Sequence, residues 1–391
     1  MKVAIVHDWL YTIGGAERVL KQMLKCYPNA DVYTLFDKLS DTERAWIGYK
    51  KAHTSFLDRI PRVGKLHRTL LPLMPFAVEQ WDFSKYDLVI SSSYAVAKGV
   101  ITGPDQVHIS YVHSPMRYIW DLQQQYLKES GGQFGLKSLL TRVIFYKMRL
   151  WDTASGSRSD AVLANSAFVA RRIKKAFGRT ADVIYPPVDV TDWAADEPRG
   201  DHFLTAGRLV GYKNSRAIVE AFALLPEQKL IVAGEGPEAA LLRAIASPNV
   251  TFVGFVTDSE LRRLMASARA VVLAAEEDFG ILAVEAQAEG TPVICLGRGG
   301  ACENVIANGP RPTGMYFSSP QSTEIATCIN MFITRESDFS KAACRGNALT
   351  FSAERFCRQF KEFVDNYFNE KVFEIRASRG IVESPYKIAA E

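Results

Sequence analysis

The sequence predicts an α/β fold made of two doubly wound, Rossmann-like domains. Apolar, strand-like runs alternate with helical patterns in both halves of the 391-residue chain. Such alternation is typical of parallel sheets covered by helices. The chain is also longer than the roughly 250–300 residues at which a single hydrophobic core stops growing. We therefore expect two domains of ordinary size.

The predicted strands divide into two groups. In the first half they lie at residues 3–6, 32–36, 88–92, 107–112, 161–164 and 183–185. The alternation breaks after Tyr185, where Pro186 and Pro187 predict an extended connector. It resumes with strands at 202–206, 230–233, 250–253, 270–274 and 293–296. We place a first domain at residues 1–187, a second at 188–365 and a C-terminal segment at 366–391.

Composition indicates a globular, cytoplasmic chain. Hydrophobic residues make up 48% and charged residues 23%, as in ordinary globular proteins. The six cysteines show neither zinc spacing nor a disulfide pattern, which favours a reducing compartment. The chain starts directly with a strand-like run, and no window approaches the ~18 apolar residues of a membrane span.

Charge is distributed unevenly along the chain. Residues 1–185 carry an excess of ten positive charges, and the remainder an excess of six negative charges. Two basic stretches, 59–68 and 137–149, mix cations with apolar residues. A basic amphipathic helix fits the anionic inner face of the plasma membrane, although an ordinary surface helix is the alternative. Motifs that interleave aromatic and basic residues are absent, so we expect no nucleic-acid partner.

The most informative stretch runs from Val271 to Leu296. A strand-like run there ends in acidic residues that include Glu277, and the helical pattern that follows contains Glu285. Ligands of parallel α/β sheets bind at the carboxyl ends of strands, and helix N-termini favour anions. Two carboxylates there suit a hydroxyl-rich ligand. The alternative is an acidic helix N-terminus stabilised by the dipole, which does not explain Glu285.

Other candidate residues also follow predicted strands. Arg208 and Lys213 share a strand-to-helix loop, and a guanidinium with an ammonium suits a diphosphate; a solvated loop is the alternative. His113 follows the strand at 107–112, and Gly14-Gly15 precede a helix. The run from Gly234 matches the dinucleotide fingerprint only weakly. No His/Cys cluster has metal spacing, so we expect no metal and no redox cofactor.

In this order the motifs resemble the retaining nucleotide-sugar glycosyltransferases of family 4, which have the GT-B fold. The motifs are GRLVxxKN, VAGEGP, VGFV and an E-x7-E run with FGI, followed by AQAEGTPVI. The runs YVHSPMRYIWD and GRGGACENV resemble the bacterial O-antigen mannosyltransferases within that family. The resemblance implies two Rossmann-like domains facing each other across a cleft, and a C-terminal helix that returns to the first domain.

The resemblance also implies a role for each site residue. His113, Glu277, Arg208 and Lys213 would be catalytic, the two cations neutralising the leaving diphosphate and Glu277 contacting sugar hydroxyls. His113 would lie near sugar and acceptor, and Glu285 would bind the ribose. The further implied substrate contacts are Phe255 and Val256 at the base, Gly14 and Gly15 at the diphosphate, and the backbone of Phe279, Gly280, Ile281 and Leu282 at sugar and phosphate. Glu303 is a further candidate.

The implied reaction is transfer of mannose from GDP-mannose to a lipid-linked saccharide acceptor in O-antigen and other surface-polysaccharide biosynthesis. The leaving phosphate would take the acceptor proton, so neither cofactor nor metal is implied. The same chemistry with a UDP-hexose donor is one alternative. A GT-B nucleotide-sugar epimerase and a catalytically silent scaffold are two others.

Overall fold

The computed structural model describes residues 1–49, 51–67, 69–129, 135–190 and 198–379. It forms two compact units, one of Met1–Tyr185 with Phe356–Glu391 and one of Pro186–Arg355. Three parts of the sequence predictions lie outside the described residues. They are the connector at 191–197, Arg68 in the first basic stretch and the tail from residue 380; the side chain of Lys137 is not described either.

The first unit contains a sheet of seven parallel strands in the order β3-β2-β1-β4-β5-β6-β7. The strands are β1 (Val3–His7), β2 (Asp31–Thr34), β3 (His53–Thr54), β4 (Leu88–Ser93), β5 (Val107–Val112), β6 (Ala161–Ala164) and β7 (Asp182–Val183). The central strands β1, β4 and β5 are buried along their whole length. Burial of every residue in these strands fits a sheet covered on both faces.

Helices connect these strands, and hydrophobic clusters cover the sheet. The α-helices are α1 (Gly15–Cys26), α2 (Asp41–Ile47), α3 (Val63–Leu66), α4 (Met74–Val78), α5 (Gln123–Glu129), α6 (Leu136–Gly156) and α7 (Ala167–Phe177). Short 3-10 helices lie at Phe56–Arg59, Leu71–Leu73 and Ala97–Gly99. The carboxylate of Asp8 anchors the last of these by accepting the backbone N–H groups of Tyr94, Ala95, Val96 and Ala97.

The second unit contains a sheet of six parallel strands in the order β10-β9-β8-β11-β12-β13. The strands are β8 (His202–Ala206), β9 (Lys229–Ala233), β10 (Val250–Gly254), β11 (Val271–Leu273), β12 (Val293–Leu296) and β13 (Gly314–Phe317). The helices are α8 (Ser215–Ala223), α9 (Ala239–Ile245), α10 (Asp258–Ser267), α11 (Ile281–Ala288), α12 (Ala301–Asn304), α13 (Ser322–Thr334) and α14 (Lys341–Leu349), with 3-10 turns at Gly211–Lys213 and Glu336–Asp338.

The predicted class of two doubly wound α/β domains is confirmed. The prediction omitted the edge strands β3 and β13. Strand β3 is only two residues long and exposed, so it has no apolar pattern to detect. Strand β13 begins at a glycine and follows a polar, Pro/Gly-rich segment (ANGPRPT). The local sequence therefore predicts a loop, and only pairing with β12 defines the strand.

The last helix, α15 (Ala353–Ser378), passes from the second unit into the first. Phe356, Phe360 and Val364 on this helix are completely buried in the first unit's core. Tyr27 donates a hydrogen bond to Asp365 over 2.8 Å. The predicted second domain extended to residue 365, whereas the second unit ends at Arg355, because these apolar side chains belong to the other core.

Removing one of these buried rings should destabilise the first unit. We expect Phe360→Ala to lower the free energy of unfolding by about 3–5 kcal/mol, the usual cost of losing a buried phenylalanine. Urea denaturation measures this loss. The control is Phe373→Ala, which removes a ring that is 38% exposed on the same helix. Equal unfolding midpoints for the two variants would contradict the assignment of Phe360 to the core.

Candidate active site

In the second unit, an ion pair joins two loops at the carboxyl edge of the sheet. Lys213, after β8, donates to Glu277, after β11, with 2.5 Å between Nζ and Oε1. The lysine side chain is 27% exposed and the glutamate 21%. Charge-assisted hydrogen bonds of this kind are strong where solvent is partly excluded. The predicted cation and the predicted carboxylate therefore form one unit, which spacing in the sequence did not show.

Lys213 is positioned by the residue that follows it. Asn214 adopts a left-handed conformation with φ of 53°, which asparagine tolerates better than most residues. Its side-chain amide donates to the carbonyl of Ala274 over 3.0 Å. That bond ties the lysine loop to the end of β11. Arg208, in the same loop, is exposed and forms no ion pair within the described part of the chain.

The loop that carries Glu277 is held by the segment after β12. Glu277 pairs as an isolated bridge with Gly299, and the Gly300 N–H donates to the Glu277 carbonyl over 2.7 Å. A Cβ at Gly300 would lie 2.1 Å from the Asp278 carbonyl oxygen, so only glycine permits this approach. The sequence analysis missed this support, although the Gly299-Gly300 pair was its visible signal.

Asn304 and Phe351 fix the turn that opens helix α11. The Asn304 side chain donates to the Phe279 carbonyl over 2.5 Å. The Phe279 ring is buried and packs edge-on against Phe351, with centroids 5.4 Å apart. These contacts fix the turn before α11, whose first N–H groups, at Ile281 and Leu282, have no partner within the helix itself. The sequence analysis did not identify Asn304 or Phe351.

Four further predicted residues lie on neighbouring elements of the second unit. Glu285 is half-buried on α11, and Glu303 is half-buried on the short helix α12. Phe255 follows β10 and is 76% exposed, while Val256 beside it packs against a core cluster. An aromatic ring this exposed is available to stack on a planar ligand.

The glycines of the dinucleotide-like run have a packing role. Gly234 has a φ of 126°, and a Cβ there would lie 2.0 Å from the Gly207 carbonyl oxygen. At Gly236 a Cβ would lie 2.2 Å from the carbonyl oxygen of Leu209. These glycines let the loops after β8 and β9 touch through their backbones, which accounts for the fingerprint without a dinucleotide.

In the first unit, a chain of hydrogen bonds ends on His113. Its Nε2 lies 2.8 Å from the Ser92 hydroxyl, which lies 3.0 Å from His7 Nδ1. The other ring nitrogen of His7 lies 3.2 Å from Glu17 Oε1. Glu17 in turn accepts the Gly14 N–H over 2.8 Å. The predicted residues Gly14, Gly15 and His113 are thus brought near one another by residues that the sequence analysis did not assign to the site.

Burial holds two histidines of this unit uncharged. It lowers the pKa of His113 to about 3, with a further contribution from His7. It also lowers the pKa of His108 to about 3, with a smaller contribution from Arg158. Both imidazoles are therefore neutral near pH 7, and His113 can exchange hydrogen bonds there without carrying charge.

The described residues contain no group of three or more His, Cys, Asp and Glu side chains arranged to hold a metal ion. None of the helices in those same ranges has the length and apolarity needed to span a membrane.

With this geometry established, two domain families match the chain. The family described as "Glycosyltransferase Family 4" matches residues 13–192, and the one described as "Glycosyl transferases group 1" matches residues 195–348. Between them the two matches account for most of the chain. The chain belongs to the GT-B glycosyltransferases. The Lys213–Glu277 pair lies in the region of the second match, and His113 in that of the first.

Curated relatives agree at the level of the class. An uncharacterized glycosyltransferase of Methanocaldococcus jannaschii is 34% identical over 30% of this chain and 33% of its own length. A D-inositol 3-phosphate glycosyltransferase of a Mycobacterium species is 29% identical over 50% of this chain and 49% of its own. The chain thus spans about half the length, or less, of the curated relatives it matches.

Solved structures match the whole fold. The Anabaena protein HepE in complex with UDP superposes with a TM-score of 0.68 at 21% identity, covering 94% of this chain and 100% of HepE. Sucrose-phosphate synthase of Thermosynechococcus elongatus superposes with a TM-score of 0.70 at 19% identity, covering 95% and 100%. At these identities the likeness establishes the GT-B fold and no finer property.

The buried histidines should make stability fall in acid. An unfolded histidine takes up a proton below its ordinary pKa of 6.5, whereas His108 resists protonation down to about 3. The contribution of His108 to the free energy of unfolding is therefore complete above pH 6.5. It is lost as the pH falls towards 3, by up to about 1.4 kcal/mol per pH unit. We expect His108→Gln to flatten the dependence of the urea unfolding midpoint between pH 7 and 5.

The matched control for that experiment is His53→Gln, because His53 is exposed. This variant should keep the pH dependence of the wild type. If His108→Gln were as pH-sensitive as the wild type, burial of an uncharged His108 would not be the source of the effect.

Proposed function

We propose that the chain is a retaining glycosyltransferase that moves mannose from GDP-mannose to a lipid-linked saccharide in surface-polysaccharide (O-antigen) assembly. The observation that carries the donor site is the half-buried pair of Lys213 and Glu277. A hydroxyl-rich sugar needs an acceptor such as a carboxylate, and its diphosphate needs a cation. The pair supplies both within one hydrogen bond of each other.

Electrostatics explains why the two groups belong together. A lone carboxylate near a diphosphate would repel it, and partial burial strengthens that repulsion. Lys213 offsets the charge of Glu277 and places a cation where phosphate oxygens would lie. Exposed Arg208 adds a second cation in the same loop. As the sugar–phosphate bond breaks, negative charge grows on the diphosphate, and preorganised cations stabilise that change.

The remainder of the donor would follow the carboxyl edge of the second unit's sheet. The N–H groups of Ile281 and Leu282, after the turn at Phe279-Gly280, suit phosphate or sugar oxygens. Glu285, two turns along α11, would accept hydrogen bonds from the ribose hydroxyls. Phe255, with Val256 beside it, would lie against the base.

The first unit would take the acceptor. In the proposed reaction the acceptor hydroxyl oxygen attacks the anomeric carbon from the face that the diphosphate leaves. The bond from that carbon to the phosphate oxygen breaks, and a diphosphate oxygen takes the acceptor proton. His113 would hydrogen-bond with hydroxyls of the sugar or the acceptor, and Gly14-Gly15 would let the start of α1 approach the diphosphate. We propose that the step needs no metal.

Lys213→Ala should lower kcat/KM by roughly 10²–10³-fold, as expected when a group that stabilises charge in the transition state is removed. The assay is transfer of radiolabelled sugar to a lipid-linked acceptor. The control is Lys229→Ala, because Lys229 forms an exposed ion pair with Asp201. Full activity in Lys213→Ala would remove the diphosphate assignment.

The donor is tested by thermal-shift and turnover assays with GDP, UDP and ADP sugars, each with and without EDTA. We expect GDP to raise the melting temperature and GDP-mannose to support transfer in EDTA. The solved HepE complex contains UDP, so UDP-hexoses are the principal rivals. Stabilisation by UDP alone would exclude the mannose assignment. Conversion of the donor to an isomer without acceptor would identify an epimerase instead.

A lipid-linked acceptor calls for a surface that meets a membrane, and the exposed apolar residues of helix α6 support such a role. Apolar residues lie on both faces of this helix, the one packed on the core and the one exposed to solvent. Ile144 and Phe145 pack against the core, whereas another set is exposed: Leu136, Leu139, Leu140, Val143, Tyr146 and Leu150. Lys147 is exposed beside them, while Arg149 is turned inward to the Ile119 carbonyl. We propose that this face lies on an anionic membrane.

The other basic stretch has the same character. Arg59, Arg62 and Lys65 are exposed, close in sequence to the exposed Phe56 ring. Phe56 contacts the ring of Phe76, which is 59% exposed. Cations beside exposed aromatic rings favour the boundary between lipid headgroups and acyl chains, so this surface would reinforce binding through α6.

Membrane binding is measured by sedimentation with vesicles containing anionic lipid. We expect the double variant Leu139→Ser, Leu140→Ser to bind less well, since burying apolar area drives insertion. Lys147→Gln should weaken binding roughly fivefold at low salt, because one cation near such a surface contributes about 1 kcal/mol. The control is Leu224→Ser, which changes an exposed leucine of the second unit. Absence of wild-type binding at low salt would refute the proposal.

A further inference from the structure

The hydrogen-bond chain that ends on His113 has a direction. Its far end is the Glu17 side chain, and an ionised carboxylate can only accept hydrogen bonds. The proton on the Glu17–His7 bond therefore belongs to His7 Nε2. In an uncharged His7, Nδ1 then carries a lone pair and accepts the Ser92 O–H. The Ser92 oxygen is left to accept, so His113 must donate from Nε2.

We propose that His7 is uncharged in this chain, and that Glu17, His7 and Ser92 are positioning residues that set the tautomer of His113. They hold it protonated at Nε2, with an unprotonated Nδ1 available to a substrate hydroxyl. No hydrogen-bond partner for Nδ1 exists within the described residues, and His113 keeps 9% of its surface exposed. His7 and Ser92 are completely buried and Glu17 is 6% exposed, so water does not readily replace any link.

This inference rests on the proposed function for what Nδ1 does. A lone pair facing a hydroxyl of the sugar or the acceptor accepts its hydrogen and orients its oxygen. The reverse tautomer would present an N–H, which can only donate, and the hydroxyl would have to turn. The tautomer itself is a property of the protein alone and can be observed without any substrate.

One substitution reverses the chain without removing it. In Glu17→Gln the amide oxygen must face the Gly14 N–H, which needs an acceptor at the start of α1. The amide NH2 then faces His7 Nε2 and forces the His7 proton to Nδ1. Ser92 now accepts from His7 and donates to His113 Nε2. A neutral His113 must then carry its proton on Nδ1.

The opposite outcome is expected for His7→Gln. Its amide NH2 must face the Glu17 carboxylate, so its oxygen faces Ser92 and accepts the hydroxyl proton. The direction of the wild-type chain is kept, and His113 remains protonated at Nε2. The two variants thus exchange similar polar groups at neighbouring links and differ in the sign of their effect on His113.

The experiment is two-dimensional ¹⁵N–¹H NMR on full-length protein labelled only in its six histidines. Long-range couplings distinguish a protonated ring nitrogen from an unprotonated one, and His113→Gln identifies the signals. We expect His113 protonated at Nε2 in the wild type and His7→Gln, and at Nδ1 in Glu17→Gln. His113 protonated at Nδ1 in the wild type, or at Nε2 in a folded Glu17→Gln, would overturn the proposal.

Two matched controls distinguish an effect through this hydrogen-bond chain from a general change in the structure of the first unit. Glu43→Gln changes the glutamate of a similar cap at the start of α2, where Glu43 accepts the Ser40 N–H over 2.7 Å and no histidine takes part. Ser91→Ala removes the partner of His108, 2.9 Å away on the adjoining strand. Neither should change the His113 signals. If Glu17→Gln does not fold, the wild type and His7→Gln still test the proposal. Protonation of His113 at Nδ1 in either protein would refute the proposed direction of the hydrogen bonds.

Turnover supplies the second readout. We expect kcat of Glu17→Gln to fall roughly 10²-fold, the loss expected when a reacting hydroxyl is misplaced, with KM little changed. His7→Gln should keep most of the activity. Reversal of the tautomer without loss of kcat would overturn the functional half of the proposal. If no transfer occurs even in the wild type, the proposed function fails while the NMR result stands.

Discussion

Both units depend on the parallel register of their central strands. Parallel strands end at one edge of a sheet, and whatever follows each strand is delivered to that edge. In the first unit β1, β4 and β5 end at His7, Ser93 and Val112, so His7, Ser92 and His113 meet. In the second unit β8 and β11 deliver Lys213 and Glu277 to one ion pair. The chemistry of each unit is a consequence of strand order.

Charged groups at these edges are held mostly by backbone and amide contacts. Asn214 ties the lysine loop to the Ala274 carbonyl, and Asn304 ties the turn before α11. Gly300 allows the neighbouring loop to approach the backbone of Asp278. Such supports carry no charge of their own, so they fix these loops without adding to the charge at the edge. Rigid support of this kind suits a site for a charged donor, because preorganised groups need not rearrange when charge develops in the reaction.

The two units use polarity differently. The second presents charge in a half-buried pair, suited to a diphosphate and sugar hydroxyls. The first keeps His108 and His113 uncharged by burial, which lowers the pKa of both. An uncharged imidazole can both donate and accept, so its use depends on which nitrogen carries the proton. Under our proposal, the hydrogen-bonded neighbours of His113 decide which of its nitrogens carries the proton.

The sequence by itself determined the fold class, the central strands and the residue types at the strand ends. Those features follow from local periodicity and from the chemistry of single side chains, which the chain displays directly. Only the tertiary structure decided that Lys213 pairs with Glu277, and that Phe356 and Phe360 join the first unit's core. It alone also showed that hydrogen bonds through His7 and Ser92 link Glu17 to His113. These contacts join residues far apart along the chain, so no local pattern encodes them. Short edge strands such as β3 were missed for the same reason, because a partner strand defines them.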